Sequence, residues 1–100
     1  MSRRLVFEPH AVSDLAAAFE WYEDKQRGLG AEFLAEVALA VERAEAYPDS
    51  SPVVLGTMRR ALVRRFPYGV FYILDEEVIA VTAVIHARRD PSNWEEREDV

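Results

Sequence analysis

The stretch Arg59-Arg60-Ala61-Leu62-Val63-Arg64-Arg65-Phe66-Pro67-Tyr68-Gly69-Val70-Phe71-Tyr72 decides the reading of this chain. It carries four arginines and no acid, in a molecule of formal net charge −6. Charge alternates with apolar bulk, the pattern of a half-buried strand. Pro67 has no N–H to give to a ladder, so it marks a strand end or an edge. Two strands follow from this, Met58 to Phe66 and Tyr68 to Leu74. A third, Val78 to Ala87, is apolar on both faces up to Ile85, which suggests an interior position. Asp75-Glu76-Glu77 reads as a hairpin turn without the glycine that such turns favour.

Upstream the period changes. Arg4 to Glu8 reads as a short first strand, and Pro9 suits the first position of a helix. Val12, Leu15, Phe19 and Tyr22 recur at spacings of three and four, one face of that helix. Gly28-Leu29-Gly30 is a tight break. A second helix spans about Ala31 to Tyr47, with Phe33, Leu34, Val37, Val41 and Ala44 as its apolar stripe. Pro48 stops it, and residues 48–57 read as loop. Helices joined by so short a turn lie antiparallel, and the sheet is the only surface on which they can bury their stripes. The expectation is a two-layer α+β domain of order β-α-α-β-β-β, a helical hairpin packed on a small antiparallel sheet. Residues 1–100 form a single domain in this reading, with 90–100 as a charged tail.

Composition narrows the function classes. Half the residues are hydrophobic and 11% aromatic, enough for one modest core. There is no cysteine, so disulfide stapling is out and a reducing cytoplasm is the simplest setting. The most apolar stretch, Val78 to Ile85, is far short of the about 20 residues that a membrane helix needs. The acidic balance argues against general nucleic-acid coating. The charge is uneven, however, and basic residues planted on a sheet suggest a site for a polyanion or an acidic partner. With two histidines, a structural zinc site is not expected. No phosphate loop or serine-nucleophile motif is present, and no cofactor is expected.

Four segments in order, Ala17-Ala18-Phe19-Glu20-Trp21-Tyr22, Gly28-Leu29-Gly30-Ala31-Glu32-Phe33-Leu34, Arg65-Phe66-Pro67-Tyr68 and His86-Ala87-Arg88-Arg89-Asp90-Pro91, resemble the RelE/ParE toxin superfamily. The likeness is to its ParE-like, plasmid-stabilisation branch and covers about residues 5–97. The resemblance implies a helical hairpin on a small sheet. It also implies a toxin of a bacterial type II toxin–antitoxin pair, held in a hetero-oligomer by a cognate antitoxin. Two modes of action occur in the superfamily: poisoning of DNA gyrase by binding, and ribosome-dependent mRNA cleavage without a metal. The ParE-like pattern points to gyrase, with cleavage as the alternative.

The candidate residues follow. Cleavage of RNA needs a base, an acid and cations around the phosphorane. Arg64, His86 and Arg88 are the candidates for that work, with His86 and Arg88 expected on one face of the last strand. The competing reading of His86 is structural, a hydrogen bond to backbone that organises the turn after it. Arg59, Arg60, Arg64 and Arg65 are candidates for binding the antitoxin, or else form a solvated strand face. Arg88, Arg89 and Trp94 are candidates for binding the target. Trp21 is expected to pack against the second helix.

Overall fold

In the computed structural model, which describes residues 3–90, the chain runs β1 (Arg4–Phe7), α1 (Pro9–Lys25), α2 (Leu29–Ala46), β2 (Val53–Leu55), β3 (Met58–Leu62), β4 (Tyr68–Leu74) and β5 (Val78–His86). Short 3-10 turns occupy Pro48–Ser50 and Ala87–Arg89. The two helices pack on one sheet of order β1-β5-β4-β3-β2. The two-layer α+β architecture is as read from the sequence.

The sheet differs in two respects. It has five strands rather than four, and it is mixed rather than wholly antiparallel. β2 to β5 form an antiparallel run, while β1 lies parallel to β5, Phe7 opposite Val81. β2 escapes a pattern reading because three residues between Pro52 and Gly56 are too few to show alternation. β3 ends at Leu62 instead of Phe66. Arg65 adopts φ +71°, unusual for a side chain with a Cβ, and the chain bends there. The Val63 N–H donates to the Tyr68 carbonyl (2.9 Å) and the Tyr68 N–H to the Phe66 carbonyl (2.8 Å), which closes the bend.

The core sits between the layers. From α1 it takes Ala11, Ala18 and Tyr22; from α2, Phe33, Val37, Ala40, Val41 and Ala44; from the sheet, Val70, Tyr72, Ile79, Val81 and Val84. Of the expected α1 stripe, Tyr22 is in the core and Leu15 packs against it, while Ala11 and Ala18 take the places expected of Val12 and Phe19. Val12 is 53% exposed, and alanines face the sheet instead, which lets the helix approach closely. Tyr22, Phe33, Phe66 and Tyr68 form an aromatic cluster, with Tyr22 and Phe33 stacked at 5.3 Å and Phe33 edge-on to Phe66 at 5.4 Å.

Two carboxylates explain connections that the sequence left open. Glu23 reaches over the inter-helix turn and accepts the N–H groups of Gly28 (3.1 Å), Gly30 (2.8 Å) and Ala31 (3.3 Å). An acid is favoured at this helix N-terminus, where unpaired N–H groups and the dipole present positive charge. The Gly28 bond is the chief reason that the Glu23 carboxyl is held below its ordinary value. In the β4–β5 turn, Asp75 Oδ1 accepts from Glu77 N–H (2.8 Å) and Val78 N–H (2.6 Å), an Asx turn that replaces the missing glycine.

Candidate functional site

α1 carries a second stripe beside its core stripe. His10, Asp14, Ala17 and Trp21 recur at spacings of four, three and four, and so share one side of the helix. β1 stops pairing with β5 at Val81, so among the described residues the last part of β5 has no strand on its α1 side. The stripe, the end of β5 and the start of β4 therefore enclose an open groove. Ala18, Tyr22, Tyr68 and Val84 line its depth, and His10 and Trp21 stand along α1. His86, Arg88 and Arg89 line its opposite side.

The groups in it are linked. Asp14 Oδ2 accepts the backbone N–H of Val84 at 2.9 Å and lies 3.6 Å from His10 Nε2. His86 meets the Tyr68 ring edge-on, with centroids 5.2 Å apart. Its Nδ1 accepts the Arg88 N–H at 3.1 Å, so the neutral ring carries its proton on Nε2. Burial pushes the Tyr68 phenol up, Arg89 opposes the rise and Asp14 adds to it. Trp21 is 55% exposed, with Lys25 Nζ 4.8 Å from its ring centroid.

The arginines of the sequence reading are scattered rather than gathered on one strand face. Neighbours on a strand point to opposite sides. Arg59 donates to the Ser51 carbonyl at 2.6 Å and pairs with Asp49 at 3.5 Å. Arg60 turns the other way and pairs with Asp90 at 2.6 Å. Arg65 lies on the bend and reaches α2, at 2.8 Å from Glu32 and 3.7 Å from Glu36. Arg64 is exposed on the same bend and does not line the groove. Arg64, His86 and Arg88 thus do not converge.

His86 and Arg88 do meet at the groove, but not as alternate residues of one strand. β5 ends at His86, and Arg88 belongs to the 3-10 turn that the imidazole caps. That turn also brings Asp90, placed in a tail by the sequence reading, to 2% exposure. Trp94 lies outside the described residues. Trp21 faces the groove instead of packing against α2. His10 and Asp14 went unread in the sequence, although their helical spacing to Trp21 was a visible signal. Among the described residues, no group of three histidines and acids is placed to hold a metal ion, and no helix is long and apolar enough to cross a membrane.

This fold has counterparts among solved structures of toxin–antitoxin systems. The chromosomal ParDE system from P. aeruginosa is similar with a TM-score of 0.75 at 13% identity, over 85% of this chain and 96% of that one. The E. coli DinJ–YafQ toxin–antitoxin complex is similar at TM-score 0.62 and 12% identity, over 88% and 96% of the two chains. YafQ alone, from E. coli, is similar at 0.57 and 11%, over 86% and 94%. At such identities the likeness is one of fold. No curated protein sequence matches the chain. The family model described as ParE toxin of type II toxin-antitoxin system, parDE, matches residues 5–91. The chain belongs to the ParE toxin family and is a type II toxin–antitoxin toxin with an antitoxin as partner.

Proposed function

We propose that this toxin acts in the cytoplasm by binding DNA gyrase and blocking its cycle, and that the cognate antitoxin neutralises it by covering the binding surface. The observation that carries this reading is the bond from Arg88 N–H to His86 Nδ1. It gives the imidazole a structural task, holding the turn that carries Arg88 and Arg89, and so supports a binding role for that turn. Arg89 and Arg64, both exposed, offer charge to an acidic partner. Arg59, Arg60 and Arg65 already meet Asp49, Asp90 and Glu32, so an acidic segment must compete for them.

The test is supercoiling by purified gyrase with added toxin. Inhibition that is lost in Arg89→Ala and reversed by antitoxin supports the reading; full gyrase activity at saturating toxin sinks it.

A second reading, ribosome-dependent mRNA cleavage, has one observation in its favour. The groove gathers both histidines of the chain, Tyr68 and two arginines. Those are residue types that could move protons and stabilise charge around a phosphate. It predicts that His86→Ala combined with Arg88→Ala abolishes toxicity. Toxicity unchanged by both substitutions would remove it.

A further inference from the structure

We propose that the pocket between the bend at residues 63–67 and the Ala87–Arg89 turn takes one large apolar side chain of the target protein, on a segment that carries acids beside it. The inference rests on the reading of this toxin as a binder of gyrase, and it names the place where that binding is anchored. The pocket encloses about 350 Å³, near the small end of ligand cavities (roughly 300–1,000 Å³). It shares Pro67 and Tyr68 with the α1 groove. Arg60, Leu62 and Gly69 add a side of the sheet that the groove does not touch. Each of them is next to a core residue along its strand, so each lies on the face away from the helices.

The walls state the chemistry of the occupant. Leu62, Val63, Phe66, Pro67 and Ala87 are apolar, and Leu62 is 66% exposed, so a partner that covers it removes apolar surface from water. The charged side chains in the wall, Arg60 and Asp90, already face each other at 2.6 Å, so the interior suits an apolar group better than an ion. The backbone is bent to make this shape. Arg65 sits at φ +71°, a strained region for a residue with a Cβ, and Val63, Phe66 and Pro67 around it form the wall. Strain of this kind persists only where neighbours enforce it, and it clusters at binding sites. Here Glu32 and Glu36 hold the Arg65 head, and the Val63 N–H closes on the Tyr68 carbonyl. The Ala87 N–H donates to the Pro67 carbonyl at 2.7 Å, which joins the bend and the 3-10 turn into one rim. That rim carries Arg64, Arg65, Arg88 and Arg89 and no acid, in a molecule of net charge −6. Its field favours carboxylates beside the apolar anchor. An apolar anchor within a polar rim is how interfaces concentrate their affinity.

Leu62 permits a selective test, because so exposed a side chain can change without opening the core. Leu62→Glu is expected to weaken binding to purified gyrase holoenzyme about thirtyfold, with Tm close to that of the wild type. Arg64→Ala is expected to weaken it about threefold and to make binding less dependent on salt. Leu39→Glu, at an exposed leucine of α2, leaves it unchanged. The photo-crosslinker p-benzoylphenylalanine, placed at position 62 of the full-length toxin, is expected to join one gyrase peptide in which a large apolar residue stands beside acids. If wild-type toxin binds gyrase and Leu62→Glu binds as tightly, the pocket is overturned and the gyrase reading stands. If wild-type toxin does not bind gyrase, that reading falls and the inference falls with it. A cross-link to residues 91–100 of the same chain, or to a second copy, gives the pocket another occupant and also overturns the proposal.

Discussion

Arg60 Nη1 lies 2.6 Å from Asp90 Oδ2, with the two side chains only 17% and 3% exposed. Ala61 faces the helices, so Arg60 lies on the opposite face of the sheet, across Gly69. A Cβ on Gly69 would come within 2.9 Å of Arg60 Cγ, so glycine leaves room for the arginine stem. The pair fixes the residue directly after the Ala87–Arg89 turn, and so fixes the turn that displays Arg88 and Arg89.

Removing one member of such a pair takes from the other charge, mostly out of water, its 2.6 Å partner. Asp90→Ala and Arg60→Ala should each cost on the order of 3 kcal/mol in urea unfolding. The double variant should cost clearly less than their sum. Strict additivity would mean that the two groups do not hold each other.

The Glu23 hook gives the fold an acid sensitivity of known sign. Its carboxyl is held below the ordinary 4.5, so the stability it contributes is present above that pH and lost as pH falls through the lower folded value. The Asp75 carboxyl, lowered by the Glu77 and Val78 N–H groups, acts in the same direction. Glu23→Gln should flatten the fall of Tm between neutral pH and pH 3 and leave a smaller fall from Asp75. An unchanged acid slope in Glu23→Gln would show that the hook is not titrating.

The helices approach closely at Gly30. A Cβ there would stand 2.7 Å from the Phe19 carbonyl oxygen, a backbone atom that cannot swing aside. Gly30→Ala should destabilise by about 1–3 kcal/mol despite alanine's better helix propensity. A stabilised variant would mean that the hairpin separates more readily than this packing implies.

Much of the fold was legible because periodicity reports burial. The runs in β4 and β5 and the stripe of α2 are repeated many times along the chain. β2 was not legible, since Val53–Leu55 is held by pairing with β3 and not by its own pattern. Nor was the parallel placement of β1, which depends on where the helical hairpin returns the chain. The α1 stripe was right at Leu15 and Tyr22 and wrong at Val12 for a local reason: Val12 and Ala11 fit a helical spacing equally well, and hydrophobicity favoured the exposed one. The groove was hidden for a different reason. His10 and His86 are 76 positions apart, and only the end of β1 at Phe7 opens the space that both line. The sequence showed the arginines, but strand alternation and the bend at Arg65 decide which way each points.

The central claim is that this toxin acts on DNA gyrase by binding. The most direct measurement is pulse-labelling of DNA and protein synthesis in bacteria within minutes of inducing the toxin alone. The account predicts an early fall in DNA synthesis while translation continues, unchanged in kind by His86→Ala. An early fall in translation with DNA synthesis intact would contradict it, and would make the groove around His86 and Arg88 a site of RNA cleavage.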